Sequence, residues 1–460
     1  MHLTLVHPCI GHRAGQSYIR TWQMEPLPPA TIAGLTPKGV DISFYDDRME
    51  LVPYDRPTDL VALSVETYTA KRAYQIASEY RRRGVPVIMG GFHATLCPEE
   101  VAQYADAVVI GEAETLWETV LADAERGALK TWYRAEGRPA LDRLRVERSI
   151  YAGKRYLPIG LIEAGRGCNF QCDFCAVQTV FHHSQTRRPT ADILAELETM
   201  RHRPLIFFVD DNLTADIPAA KEFFRALIPL KLRWVSQVSL NAAFDDELLA
   251  LMNESGCQAV LIGFESLNAE NLKKMNKSLN LMKGGFEGAL ANLRRHKIKL
   301  YITFVFGYDE DTPDSFDATV DFALRHKFYI AAFNHLTPFP GTPLYQSLKE
   351  QGRLLYDSWW LDERYRYNQL PFQPAHMTPE QVQRGCVDAR ARFYSLGNIW
   401  QRGLDPVNRA NLTMWLQYYG INAMFRGEVR QRDDYPLGDE NWRGALLKVR
   451  KKPERQRIDE

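Results

Sequence analysis

Gly165-Arg-Gly-Cys-Asn-Phe-Gln-Cys-Asp-Phe-Cys175 is the stretch on which the reading of this chain turns. Its cysteines, Cys168, Cys172 and Cys175, have the spacing C-x3-C-x2-C and are placed to converge on one point. Three buried cysteines acting as small hydrophobes explain it poorly, because Asn169, Gln171 and Asp173 interleave them. Structural zinc takes four ligands, usually as two separated pairs, and no second pair follows. His182 and His183 are near enough in sequence to supply a fourth ligand, so zinc stays open on ligand count. An iron–sulfur cubane is normally held by four thiolates; three leave one iron open to a small molecule. The other four cysteines, Cys9, Cys97, Cys257 and Cys386, are scattered singly and read as ordinary packing.

Outward from the cysteines, strand and helix alternate from about 157 to 345. Apolar runs at 157–164, 205–209, 234–238, 259–263, 300–306 and 330–335 read as six buried strands, with helical stretches between them. Six βα units predict a parallel sheet with helices outside and active residues at the carboxyl ends of the strands. The polar residues there are Asp210, Asp211, Ser239, Asn241 and Glu265. Residues 1–126 repeat the alternation independently, with strands near 3–6, 40–44, 60–64, 85–89 and 107–110. This predicts a doubly wound α/β domain whose ligands sit at the strand ends, where Gly90-Gly-Phe-His-Ala-Thr95 and Gly111-Glu-Ala-Glu114 lie. Polar, arginine-rich residues 127–152 read as a linker. After 346 the composition turns aromatic and polar, with Trp359, Trp360, Tyr365 and Tyr367 within nine positions and a capping box at Thr378-Pro-Glu-Gln381.

The 460 residues suffice for about three domains. Lysine plus arginine, 57, balance aspartate plus glutamate, 57, which argues against a dedicated nucleic-acid binder. Seven cysteines are too few, and odd in number, for a secreted disulfide framework. No stretch approaches a membrane span and Met1-His2-Leu3-Thr4 does not open a signal peptide, so the expected location is cytoplasmic. Lys448–Glu460 reads as a frayed tail.

With its barrel context, the cysteine motif resembles the radical S-adenosylmethionine (SAM) superfamily, whose signature has this spacing and an aromatic, here Phe174, before the third cysteine. The resemblance implies a partial (β/α)6 barrel in residues 153–345 and a 4Fe–4S cluster on Cys168, Cys172 and Cys175. It also implies SAM contacts from Phe174, Asp210, Asp211, Ser239 and Glu265. The aspartate pair stands at the position that meets the methionine amino group, and Glu265 at one that reaches the ribose. Pro26-Leu-Pro-Pro29, Leu63-Ser-Val-Glu-Thr67, Gly90-Gly-Phe-His93 and Gly111-Glu-Ala-Glu114 make the N-terminal segment similar to the Rossmann-like cobalamin-binding domain of one large radical SAM subgroup. The implied cobalamin contacts are Pro28, Ser64, Glu66, Gly90, Gly91, His93, Gly111 and Glu112. The D-x-H-x-x-G of many cobalamin enzymes is absent, since Asp46-Asp-Arg-Met-Glu50 has no histidine. The subgroup commonly binds cobalamin without that ligand.

The expected architecture is therefore a cobalamin-binding domain (1–126), a linker (127–152), a radical SAM barrel (153–345) and a mainly helical segment (346–460) closing over substrate. The expected activity is methylation of an unactivated carbon of a small-molecule or natural-product substrate, through a 5′-deoxyadenosyl radical. An external one-electron reductant such as flavodoxin or ferredoxin is implied, and no catalytic acid or base is assigned. Two alternatives stand beside it: a cobalamin-dependent oxidoreductase or cyclase without methyl transfer, and a non-catalytic iron–sulfur or zinc scaffold. An RNA-modifying methylthiotransferase would need a second cysteine trio in the N-terminal domain, where there are only Cys9 and Cys97.

Overall fold

The computed structural model describes residues 1–16, 18, 23–281, 284–429 and 433–449. Two six-stranded parallel sheets organise them. The N-terminal sheet holds β1 (His2–His7), β2 (Asp41–Asp46), β3 (Leu60–Ser64), β4 (Val87–Gly90), β5 (Ala107–Ile110) and β6 (Trp132–Arg134), in the order β2-β1-β3-β4-β5-β6. Its central strands β3, β4 and β5 are short apolar runs because both faces are covered. Leu3, Leu5, Ile88 and Val109 pack on one side, and Val6, Val61, Leu63 and Val108 on the other. The helix α1 (Leu27–Leu35) opens with Pro28 and Pro29 in its first turn, where a missing N–H costs nothing. Helix α2 (Ala70–Arg82) buries a stripe of Ala73, Ile76, Ala77 and Tyr80. The sheet does not stop at residue 126. The segment expected to be a linker supplies β6, and Tyr151 packs into the core beside Phe44.

The second sheet holds β7 (Ile159–Ile162), β8 (Leu205–Phe208), β9 (Trp234–Gln237), β10 (Cys257–Glu265), β11 (Lys299–Phe306) and β12 (Ile330–His335) in sequential order, all parallel. It is the expected open barrel, helices outside, its carboxyl ends turned toward the cysteine loop.

The segment after 346 packs on both sheets. Trp359, Trp360 and Tyr365 are buried in the N-terminal core with Tyr74 and Val65. The helices Pro379–Phe393, Leu396–Gly403 and Leu412–Glu428 instead cover the edge of the barrel sheet at β12. There Tyr394 Oη donates to the Ala331 carbonyl (2.8 Å), Arg390 Nε to that of Phe333 (2.9 Å) and Asn422 Nδ2 to that of Tyr329 (3.2 Å). Side chains thus satisfy an edge strand that would otherwise present unpaired main chain. The chain then returns to the N-terminal domain: Gly438–Asp439 pair with Gly11–His12, and the Val449 amide donates to Gln103. The start of the expected tail is therefore tied down; residues 450–460 lie outside the described residues. No described helix is long and apolar enough to cross a membrane.

Candidate active site

The cluster motif is held on a short antiparallel hairpin. Gly165–Gly167 pairs with Gln185–Arg187, and the three cysteines occupy the loop between Gly167 and a helix starting at Ala176. None is in a disulfide. The loop is fastened from below: the Gly167 amide donates to Asp211 Oδ2 (2.7 Å), Tyr308 Oη to Asp173 Oδ1 (2.6 Å) and the Asp173 amide to the Met275 carbonyl (3.3 Å). Phe174 packs on the barrel core. Among the described residues, the trio of candidate metal ligands with all donor atoms within 4.8 Å of one another is Cys9, His12 and Asp47, not the three motif cysteines. A single zinc with bonds of about 2.3 Å needs sulfurs roughly 4 Å apart. His182 and His183, which kept zinc open on ligand count, are exposed in a left-handed turn. The donor set suits a multi-iron cluster better than one ion.

The residues expected to meet SAM ring this loop. Asp210 is 2% exposed; its Oδ2 accepts from the Ala164 amide (3.0 Å), while Oδ1 is buried with no partner. Burial pushes its carboxyl up to about 8. An unpartnered carboxylate oxygen here suits a cationic ligand group. Ser239 Oγ accepts from Asn212 Nδ2 (3.0 Å) and donates to Asn241 Oδ1 (2.6 Å), and Asn212 Nδ2 also faces Cys168 Sγ at 3.7 Å. Glu265 adopts φ 63° at a bulge in β10, and its carboxylate accepts from Lys277 Nζ (2.8 Å). A Cβ on Gly263 would lie 1.9 Å from Glu265 Oε1, so glycine there makes the folded-back carboxylate possible. Lys277, absent from the sequence reading, is the cation of this region. Burial opposes its charge, but Glu265 and Cys172 outweigh burial and raise its pKa. Burial pushes the Cys172 thiol up to about 12, with Lys277 the largest opposing influence.

A cavity of about 350 Å³, within the range of small-molecule sites, lies between the N-terminal sheet and the barrel; Asp211 is the expected SAM contact that lines it, and Phe174, Asp210, Ser239, Glu265 and the three cysteines do not. Seven of the eight residues expected to contact cobalamin line it: Pro28, Ser64, Glu66, Gly90, Gly91, Gly111 and Glu112. Gly91 (φ 96°) and Gly111 (φ 85°) use a conformation that other residues adopt only with strain. A Cβ on Gly91 would stand 2.9 Å from the Val65 carbonyl oxygen. Thr95, also missed, ties the two glycine turns together: its Oγ1 donates to the Gly91 carbonyl (3.0 Å) and accepts from the Gly111 amide (3.0 Å). The floor is apolar, from Leu5, Ile32, Ala62, Ile88 and Val109. The barrel contributes Glu163, Arg166, Val209 and Asp211. A glycine-lined rim over an apolar slot fits a large planar ligand with an inserted tail, and no histidine lines it.

His93 is the exception. It is fully buried away from the cavity, its ring between Thr67 Oγ1 (3.3 Å) and Glu100 Oε1 (3.1 Å). Phe92 and Thr95 take the cavity face of their short helix, and helical spacing turns His93 to the opposite one. Arg188, just after the hairpin, donates to Glu196 (2.7 Å) and the Glu163 carbonyl (2.9 Å). Tyr365, of the aromatic run, donates to the Gln369 carbonyl in a packed setting.

Charge locks the two domains across the cavity. Arg166 beside the cysteine loop pairs with Glu163 (2.8 Å) in its own domain and with Glu112 (3.2 Å) and Glu114 in the N-terminal one. Arg138, from the former linker, pairs with Glu112, donates to Ser184 and to the Arg166 carbonyl, and stacks on Phe181 at 4.2 Å.

Fold and site together define a two-domain enzyme class, an open barrel carrying a three-cysteine iron–sulfur loop against a ligand-binding α/β domain. Comparison with known proteins agrees. The Radical SAM superfamily model matches residues 162–323 and the B12 binding domain model residues 32–121. The chain is 31% identical over 389 residues to the bacteriochlorophyllide d C-12(1)-methyltransferase of Chlorobaculum tepidum, covering 82% of this chain and 84% of that one. It is 25% identical over 445 residues to the anaerobic magnesium-protoporphyrin IX monomethyl ester cyclase of Cereibacter sphaeroides, covering 86% and 70%. The radical SAM methyltransferase TsrM of Kitasatospora setae, solved with cobalamin and a [4Fe-4S] cluster, superposes with a TM-score of 0.65 at 16% identity, covering 94% and 99%. The chain belongs to the cobalamin-dependent radical SAM methyltransferase family. It is an enzyme, with a 4Fe–4S cluster, SAM and cobalamin as its cofactors.

Proposed function

We propose that this enzyme methylates an unactivated carbon of a small-molecule or natural-product substrate, drawing electrons from a flavodoxin- or ferredoxin-type donor. The observation that carries the reading is the shared cavity: the glycine turns of the N-terminal sheet, the cysteine hairpin's Arg166, and Asp211 beyond the barrel strand β8, face one space. When bound, the cofactors supply the radical that activates a C–H bond and the methyl group that replaces the hydrogen. The protein's own part is positional. Cys168, Cys172 and Cys175 hold the cluster; the unpartnered Asp210 oxygen and Glu265 receive polar groups of SAM; Gly90, Gly91 and Gly111 let main chain approach cobalamin. The apolar floor keeps water from the cavity.

The test is an anaerobic incubation of reconstituted enzyme with reductant, cobalamin and methyl-labelled SAM. The substrates of the two relatives, bacteriochlorophyllide d and magnesium-protoporphyrin IX monomethyl ester, are the first to offer. Label in a product supports methyl transfer. The cyclase relative favours a second reading, radical oxidation or cyclisation, for which 5′-deoxyadenosine would accumulate alongside an unlabelled, altered product.

A further inference from the structure

We propose that Cys9, His12 and Asp47 form a second metal site, separate from the cluster cysteines, that takes one zinc-class transition-metal ion. Cys9 and His12 lie on the loop that follows β1, and Asp47 directly follows β2, its neighbour in the sheet. Their donor atoms already meet. Cys9 Sγ is 3.3 Å from His12 Nε2, which is 3.2 Å from Asp47 Oδ1, and all three lie within 4.8 Å of one another. Four-coordinate zinc, with bonds of about 2.0–2.3 Å, separates its ligand atoms by roughly 3.3–3.8 Å. One ring nitrogen faces both a sulfur and a carboxylate oxygen, the spacing that ligands around a common ion take.

Burial and the surrounding hydrogen bonds fit the same assignment. Cys9 and Asp47 are each 1% exposed, whereas the His12 side chain keeps 18% of its surface, leaving a route for the ion and for a water as fourth ligand. Arg72 donates from Nε to Asp47 Oδ2 and from Nη2 to Oδ1, both at 2.8 Å, and so orients the carboxylate as an outer partner does at metal sites. The Cys9 amide donates to Asp47 Oδ2 (3.3 Å), and Asp439 faces Arg72 at 3.7 Å. A thiolate, an imidazole and a carboxylate select zinc or a similar ion over magnesium or calcium, which take oxygen ligands only.

Binding balances simply. The Cys9 thiol, placed to donate to the Gly11 carbonyl (3.3 Å), loses its proton to solvent. The His12 ring carries its single proton on Nδ1, freeing Nε2 for the ion. One thiolate, one carboxylate and one guanidinium leave the site at −1 before the ion enters. The consequence is structural: Gly11 and His12 pair with Gly438–Asp439, so an ion here fixes the loop after β1 and the returning C-terminal strand at once.

The proposal does not rest on the methyl-transfer reading, and its test counts zinc separately from iron. The full chain is purified, its metals measured, then stripped with chelator and titrated with Zn2+ and, without cobalamin, with Co2+. One zinc per chain is expected in the wild type and equally in Cys172→Ala, in which iron is lost. Zinc should vanish in Cys9→Ser, which keeps the hydrogen bond to Gly11, and bind at least tenfold more weakly in His12→Gln, a change at the partly exposed position. Co2+ should give a thiolate charge-transfer band that Cys9→Ser abolishes. Zinc that follows Cys172 rather than Cys9, or a stripped chain that takes up neither ion stoichiometrically, overturns the site and leaves a hydrogen-bonded clasp in its place.

Discussion

Glu112→Gln is the perturbation that most directly tests whether the cavity wall and the cysteine hairpin are coupled. The Glu112 side chain is 7% exposed and serves two cations, Arg138 and Arg166, themselves 19% and 14% exposed. Removing one partner of a buried ion pair costs about 3–5 kcal/mol, because the remaining charge stays desolvated. Here part of that is recovered: Arg166 retains Glu163 and Glu114, and Arg138 retains Ser184 and the Arg166 carbonyl. The expected loss is therefore about 3 kcal/mol, read from urea unfolding midpoints and slopes. The contrasting change is Glu247→Gln, which removes the carboxylate shared by Lys221 and Arg225 at a side chain 56% exposed; it should cost less than about 1 kcal/mol. Iron should also leave the cysteine loop faster in Glu112→Gln, since Arg138 links that glutamate to Ser184 of the hairpin turn. A destabilisation no larger than that of Glu247→Gln, with unchanged iron loss, would falsify the coupling.

Two further outcomes follow from the site. Gly91→Ala, at φ 96° with Val65 main chain in the way, should add about 1–3 kcal/mol of strain at the cavity rim and weaken cobalamin binding roughly 5- to 150-fold by equilibrium dialysis. Gly127→Ala, also at positive φ but with nothing within 4 Å, should leave that affinity unchanged. In the cofactor-free chain, Asp210 has a folded-state pKa raised to about 8 from 3.8, so between those values the folded state holds the extra proton and stability falls as pH rises. Asp210→Asn should remove a slope of at most about 1.4 kcal/mol per pH unit from urea midpoints compared across that window; an unaltered slope would show that Asp210 is already ionised.

What the sequence made legible follows from what each feature needs locally. The barrel strands are largely apolar segments that bury alternate residues, and their ends fall within a few residues of the expected positions. Gly90, Gly91 and Gly111 were identifiable because glycine after a strand signals a close main-chain approach. The strand at Trp132–Arg134 was hidden by its brevity and by two exposed residues around one buried tyrosine. Arg138 and Arg166 were invisible as partners of Glu112, since nothing local marks a pairing across 26 or 54 positions. Lys277 sat in the run Lys273-Lys-Met-Asn-Lys277, which reads as a solvated helix end, yet only its last lysine turns inward. His93 was misread because Gly90-Gly-Phe-His looked like one ligand-facing turn, whereas the helix begins at Phe92.

The aromatic and polar composition after residue 346 suggests a lid, and the structure shows two packing tasks that call for the same composition. An open six-stranded barrel leaves β12 with unpaired main chain, and Tyr394, Arg390 and Asn422 are long polar side chains that reach it from packed helices. The N-terminal domain meanwhile leaves His93 buried and Glu100 partly so, and Trp360 supplies an N–H to Glu100 (2.9 Å) together with a large apolar face. Both tasks call for residues with an apolar body and a polar tip, the same property that suits a substrate cover. The chain then crosses back to pair at Gly11–His12. The C-terminal segment thus contacts both domains whose facing surfaces make the cavity. Separating those domains would break the Arg138–Glu112–Arg166 lock and also withdraw buried tryptophans from the N-terminal core. The cavity walls are therefore held in place by packing as well as charge, which on the proposed reading gives the cofactors a fixed mutual setting before any substrate arrives.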